Sequence, residues 1–392
     1  MNILFVTREY PPFEVGGVAR HTFYLVKHLS ELGVSCKVLS FGDPRRSHDG
    51  VMFVEPSSSV IHKSNCPLAL DVRFPFDVMR LTRATSSLIK DEDFDVVHVE
   101  EPYVGAFVRH ARKVTTVHDT SYGEIKSILH DHGSLPNFKR AVFYASMGPY
   151  LEWMCMASSM VVVVPSSHVK EELTRVYRVR NGKVRVIRNG VEFSESLESV
   201  DKAEAKRRLG LTGEMLIFTA AQHVARKRLD TLVEAIRLLD KEGVEGFHVV
   251  IAGDGPLRQH IISLVRKYGL EGIVSLPGWI PREELELCYQ AADIFVLTSE
   301  YEAGPMSLLE AMSFGDAAIS SKIDGFPSLM REGVDGLLFP VGDFHALSIG
   351  IKRLLGDAPL RMRLSPSARS FAKRFDWKNV AKETVKLYES LL

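Results

Sequence analysis

Residues 293–319 read DIFVLTSEYEAGPMSLLEAMSFGDAAI, a strand, a turn and a helix in immediate succession. The apolar run Ile294–Leu297 has the length and character of a strand covered on both faces. A turn comes next, with Ser299, Glu300, Glu302, Gly304 and Pro305. Leu308, Leu309 and Met312 then recur at the spacing of one helix face, with Glu310 off that stripe. Strand, turn and helix thus set Glu302 just before a helix and Glu310 about one turn inside it. The unpaired N–H groups and positive end of a helix start suit an anion such as a diphosphate. Two carboxylates repel phosphate and suit the hydroxyls of a sugar or ribose, which donate to them. The plainer alternative is a solvated loop acid and a surface helix acid.

The wording around the pair, E-A-G-P-M-S-L-L-E-A-M-S-F-G, strongly resembles the E-x7-E signature of the retaining family-4 glycosyltransferases (group 1), which have the GT-B fold. The resemblance implies an α/β chain of two Rossmann-like, doubly wound parallel-sheet domains facing a cleft, with a C-terminal helix crossing back. It implies that Glu302 contacts the transferred sugar and Glu310 the ribose hydroxyls, with Ala303, Gly304, Met306 and Ser307 also along the donor. Gly304 and Pro305 stand where the family commonly has an aromatic residue and a glycine. Pro305 has no N–H to offer a phosphate.

At 392 residues, 45% hydrophobic and 25% charged, the chain has room for two cored domains of ordinary globular composition. A net charge of zero argues against nucleic acid as the main partner. Its four cysteines are scattered with no C-x-x-C pair, which suits a reducing cytosol and offers no metal framework. No apolar run approaches the roughly 20 residues of a membrane span, and the amino terminus lacks the apolar stretch of a signal peptide.

In chain order, Ile3–Val6, a helix with Val18, Thr22, Leu25, Val26, Leu29 and Leu32 inward, and Val34–Leu39 make a βαβ unit. Gly16 and Gly17 at the helix start let a ligand approach the backbone; they match the family's glycine-rich loop, which faces the diphosphate. Further strands are expected at Val96–Val99, Val114–Val117, Met160–Val164 and Val184–Ile187. The residues just past each strand matter most, because ligands of such sheets bind beyond the strands' carboxyl ends. After Val114–Val117 come His118 and Asp119, resembling the family's histidine that faces the donor sugar, with Asp119 as its orienter. Asp91-Glu92-Asp93 spells a D-x-D metal motif but precedes a strand, at the wrong end of the sheet. His130-Asp131-His132 lacks further ligands for a metal site. The aromatic-rich stretch 135–160 reads either as a core helix or as a surface for a bilayer or lipid acceptor.

KVRVIRNGVE closes the first domain, and the polar stretch 194–202 suits a linker. The expected domains are 1–190 with 372–392, binding acceptor, and 191–371, binding the nucleotide-sugar donor. The second domain repeats the alternation, with strands near Leu216–Thr219, Val249–Ala252, Val274–Leu276, Ile294–Leu297 and Ala317–Ser320, and Leu337–Phe339 by resemblance. Arg226, Lys227 and Arg228 precede a helix start, where three cations oppose the helix dipole unless an anion is near. The family's arginine and lysine grip the diphosphate here; Lys227 matches the lysine, and Gln222 replaces the arginine. IAGDGP at 251–256 matches a mainly structural turn. LPGWIP at 276–281 matches the loop around the base, with Trp279 and Ile280 as candidates.

The resemblance therefore implies a retaining hexosyltransferase with His118, Lys227 and Glu302 central to catalysis. A nucleotide-diphosphate sugar, UDP- or GDP-linked, is the co-substrate, and the acceptor is a lipid-linked or soluble hydroxyl compound. The same-face mechanism assigned to the family uses no essential metal or other cofactor. Two alternatives stay open: a nucleotide-sugar 2-epimerase of this fold, and a non-catalytic nucleotide-sugar binder. The expected location is the cytoplasm, with peripheral contact at the inner membrane surface as a further reading.

Overall fold

The computed structural model describes residues 1–13, 16–48, 50–56, 74–129, 142–193, 201–211, 214–323 and 330–392. The chain divides into two compact units, Met1–Gly190 with Trp377–Leu392, and Val191–Asp376.

The first unit carries strands β1 (Asn2–Val6), β2 (Ser35–Phe41), β3 (Val51–Val54), β4 (Val96–Val99), β5 (Lys113–Thr116), β6 (Val161–Val164) and β7 (Val184–Val186). They form a parallel sheet in the order β3-β2-β1-β4-β5-β6-β7. The order reverses direction at β1, as in a doubly wound sheet, and each crossover helix covers one face. VVHV and VVVV are buried at every position, which is why every residue but His98 is apolar.

Two features of this sheet escaped the sequence. β3, VMFV, is an edge strand as apolar as the others but buried only at alternate positions, and it was not among the expected strands. β5 starts one residue early, at a buried lysine: Lys113 Nζ donates to the carbonyls of Gly105 and Val108, both at 3.1 Å, and to Ser158 Oγ at 2.7 Å. Those acceptors replace the water that a buried ammonium loses.

The helix Gly17–Glu31 buries Ala19, His21, Thr22, Leu25, His28 and Leu29. Leu32, expected inward, caps that helix and is exposed. The terminal helix Trp377–Glu389 packs against it, with Trp377 edge-on to His21 and stacked near Tyr24. The return to the first unit begins at Trp377 rather than at 372. Phe371 and Phe375 are still part of the second unit's core, and Val191 N–H donates to Phe375 O at 2.8 Å.

The second unit carries β8 (Met215–Ala220), β9 (Phe247–Ala252), β10 (Val274–Gly278), β11 (Ile294–Leu297), β12 (Ala317–Ser321) and β13 (Gly336–Phe339). These pair in parallel in the order β10-β9-β8-β11-β12-β13. Successive residues alternate between its two cores: Phe295 and Leu297 enter one, Ile294 and Val296 the other. The helix Leu229–Lys241 covers one face and Met306–Phe314 the other.

Asp91-Glu92-Asp93 sits at a helix end before β4, where Lys37 Nζ holds Glu92 at 2.5 Å, so it is a surface turn. His130-Asp131-His132 and linker residues 194–200 lie outside the described residues. Of the stretch 135–160, residues 142 onward are described. Its helix Met147–Ser158 buries Leu151, Cys155 and Met156 while Met147, Tyr150 and Trp153 face out, so it serves the core on one side only. Among the described residues no helix is long and apolar enough to cross a membrane.

Candidate functional site

In the second unit the loops at the carboxyl ends of β8, β9 and β10 are braced together. His223 N–H donates to Asp254 O at 2.9 Å, Leu257 N–H to His223 O at 2.9 Å, and Gly253 N–H to Gly278 O at 2.7 Å. The G-D-G turn allows this approach. A Cβ on Gly253, whose φ is +121°, would sit 2.0 Å from Ala221 O, and one on Gly255 would sit 2.6 Å from His223 O. The turn therefore shapes the loop that carries Gln222 and the three cations.

Those cations meet the loop after β11. Glu300 N–H donates to Arg226 O at 2.9 Å, and Thr298 Oγ1–H to Lys227 O at 2.6 Å, which fixes the two loops at the backbone. On that frame Lys227 Nζ lies 2.5 Å from Glu302 Oε1, Ser299 Oγ donates to the same oxygen at 2.6 Å, and Arg226 stands 3.6 Å from Oε2. Burial pushes the Glu302 carboxyl up, but Lys227, Arg226 and Ser299 outweigh it and hold it below the usual carboxylate range. Arg228 adopts a left-handed conformation (φ 46°) at the start of the helix Leu229–Lys241 and pairs with Glu300 at 3.3 Å and Asp230 at 3.4 Å. The anions that relieve the conflict between cations and helix dipole are thus, in the chain itself, Glu302, Glu300 and Asp230.

Glu310 has its own partners. It is buried, and its two oxygens accept from Arg282 Nη1 at 2.8 Å and Tyr289 Oη at 2.9 Å. A surface role is excluded. Its helix, Met306–Phe314, starts after Pro305 and is buried nearly all round, not along one stripe.

In the first unit, Glu100 and His118 lie just past the neighbouring strands β4 and β5. His118 Nε2 lies 3.0 Å from Glu100 Oε2, and His21 Nε2 lies 3.7 Å from the same oxygen. Burial pushes both imidazoles down, each to about 4, so they are neutral at neutral pH. His98 is spoken for by Tyr388 Oη at 2.5 Å and Thr116 Oγ1 at 2.7 Å. His21, Glu100 and His118 bring one ligand atom each to within 4.8 Å of one another and could hold a metal ion. A cation there would have to displace the Glu100–His118 contact.

The pattern of the family described as "Glycosyl transferases group 1" matches residues 201–371, and that of "Glycosyltransferase Family 4" matches residues 15–195. The chain belongs to the group 1 glycosyltransferases. An uncharacterized glycosyltransferase of Methanocaldococcus jannaschii is 26% identical, over 99% of this chain and 98% of its own. Among solved structures, sucrose-phosphate synthase from Thermosynechococcus elongatus aligns with a TM-score of 0.80 at 20% identity, over 100% of this chain and 98% of its own. Anabaena HepE, solved with UDP and glucose, aligns with a TM-score of 0.74 at 18% identity over the full length of both chains. These structural neighbours bear on the fold.

In this glycosyltransferase the expected residues Arg226, Lys227 and Glu302 come together, whereas Glu310 lies among a different set. Gln222 is exposed on the loop after β8, and Trp279 is 63% exposed at the end of β10. Ile280 turns into the core, so its side chain is not available to a base. Ala303 is buried, while Gly304, Met306 and Ser307 are half-buried at the helix start. Gly16 caps the helix Gly17–Glu31, the helix that brings in His21. Asp119 was the expected orienter of His118, yet the acid at its Nε2 is Glu100. Glu100 was not among the expected residues, although it too stands just past a strand, Val96–Val99, where the same attention could have found it. Arg282 and Tyr289 gave no local signal, because their bonds to Glu310 span 28 and 21 residues.

Proposed function

We propose that the protein transfers a hexose, with retention of configuration, from a UDP- or GDP-linked sugar to a hydroxyl of a lipid, glycan or small-molecule acceptor. The observation that carries this is the buried Glu302 held between Lys227 and Arg226 beside the start of the helix Met306–Phe314. A carboxylate kept ionised can accept from a sugar hydroxyl, and an ammonium it pins is aimed without further ordering. HepE's complex with UDP and glucose supports a nucleotide-sugar donor.

In this reading Glu302 takes a hydroxyl of the transferred sugar and Glu310, steadied by Arg282 and Tyr289, takes the ribose hydroxyls. Lys227, Arg226 and Arg228, with N–H groups of Met306 and Ser307, stabilise the negative charge that builds on the diphosphate as the glycosidic C–O bond breaks. The acceptor oxygen bonds to the same face of C1, and its proton passes to the departing phosphate oxygen. Gln222 adds uncharged donors to the diphosphate, the glycine pair Gly16 and Gly17 leaves room for it, and Trp279 with the Ile280 backbone flanks the base. His118 contacts the sugar. No divalent cation or other cofactor is needed. An apolar groove in the first unit, lined by Pro75, Val78, Met79, Phe107, Met147 and Leu151, supports a lipid-linked acceptor. The test is transfer from each nucleotide hexose to a panel of acceptors, with the product anomer read by proton NMR. An inverted product, or release of an isomerised donor without acceptor, refutes the reading.

A further inference from the structure

The surroundings of His118 specify more than its presence. Glu100 lies just past β4, its N–H donates to Val6 O at 2.9 Å, and its side chain is fully buried. Its Oε2 faces His118 Nε2 at 3.0 Å and His21 Nε2 at 3.7 Å. His98, at 3.8 Å from Oε1, already spends both ring nitrogens on Tyr388 and Thr116. The acid therefore has one short ring contact, and it is with His118.

A carboxylate oxygen only accepts, whereas a neutral imidazole has one nitrogen that donates and one that accepts. His118 Nε2 must then carry the hydrogen, and the lone pair is left on Nδ1. The His118 side chain is 12% exposed, and Nδ1 has no partner among the described residues. Burial keeps the ring neutral at neutral pH, so the choice of tautomer is a real one.

We propose that Glu100 is the positioning residue of His118: its carboxylate selects the Nε2–H tautomer and leaves Nδ1 as the nitrogen that accepts a hydrogen bond from a substrate hydroxyl. The role in turnover rests on the glycosyl-transfer reading above; the tautomer does not. Asp119, next in sequence, cannot be exchanged for Glu100 in this role, because it is Glu100 that meets Nε2.

The test is nitrogen-15 NMR of histidine-labelled full-length protein, with a His118→Asn variant identifying the His118 signals. Wild type is expected to show a pyrrole-like Nε2 and a pyridine-like Nδ1. Glu100→Gln keeps the side chain's shape but offers either a carbonyl or an amide hydrogen, so both tautomers should then populate. In the transfer assay the same variant should lose about 10- to 100-fold in kcat, the scale of a hydrogen bond to a charged group, with donor KM within about threefold. Should Glu100→Gln unfold, Glu100→Asp serves, since it withdraws the carboxylate while keeping its charge. A protonated Nδ1 in wild type overturns the proposal, as does a Glu100→Gln protein with both tautomer and kcat unchanged. If the tautomer responds but wild type transfers hexose from no donor, the positioning is upheld and the transfer reading falls.

Discussion

Replacing Lys227 with alanine removes the shortest cation contact to the buried Glu302. Nζ is 2.5 Å from Glu302 Oε1, and the Glu302 side chain is 6% exposed, so little water can take the ammonium's place. Removing one partner of a buried ion pair ordinarily costs about 3–5 kcal/mol. Here Arg226 remains at 3.6 Å and Ser299 at 2.6 Å, so roughly half of that, about 2 kcal/mol, is expected in stability. The Glu302 carboxyl should move up, since burial then faces fewer opposing charges. The effect on turnover is separate. Loss of one charge aimed at the leaving diphosphate should raise the barrier by about 2–4 kcal/mol, a factor of roughly 30–1,000 in kcat. Steady-state kinetics with the nucleotide sugar, beside a denaturant titration of the same preparation, separate the two effects. Lys227→Arg, which keeps a cation, should recover part of kcat. A folded Lys227→Ala protein with kcat within about twofold of wild type refutes the leaving-group account.

Glu310→Gln removes a charged acceptor of the ribose hydroxyls and should weaken nucleotide binding by about 10- to 100-fold, read by calorimetric titration. Gly253→Ala places a methyl 2.0 Å from Ala221 O at a positive φ and should cost about 3 kcal/mol or more of the second unit's stability, read by denaturant midpoint. In the first unit, His21, His98 and His118 lie at about 4, below the ordinary ~6.5. The unfolded chain then binds more protons between those values, so their contribution is complete above about pH 6.5 and is lost as pH falls toward 4. Burial raises Glu152 to about 7, so the folded state binds the extra proton and Glu152 acts in the opposite sense over the overlapping range. Glu152→Gln should therefore lose thermal stability more steeply than wild type from about pH 6.5 to about 5, by calorimetry.

The sheet frame was legible because parallel strands covered on both faces are rich in apolar residues: VVVV and IFVL are unbroken runs, and VVHV is broken only by His98. The edge strand Val51–Val54 was passed over although VMFV is also an apolar run. Lys113 was not read as a strand residue because its burial depends on a hydroxyl 45 residues away, at Ser158, as well as on the nearby carbonyls of Gly105 and Val108. The acids and cations of the site were legible as residues because they cluster in two short stretches, 226–228 and 299–310. Their pairing was not. Which cation meets Glu302, and that Arg282 and Tyr289 clasp Glu310, is set by which strand neighbours which. Glu100 illustrates the boundary. Its place after a strand could be read locally, but its choice of His118 over other partners depends on β4 lying beside β5.

The proposed transfer depends on the second unit binding a nucleotide through its diphosphate and ribose. The most direct measurement is a thermal-shift panel of UDP-, GDP- and ADP-linked sugars against the matching nucleoside monophosphates. One diphosphate sugar should stabilise the protein by about 2.7 kcal/mol at a hundredfold excess over its Kd, more than its monophosphate does, and the shift should shrink in Lys227→Ala and Glu310→Gln. No shift with any of the three at millimolar concentration, or one that both variants retain in full, contradicts it.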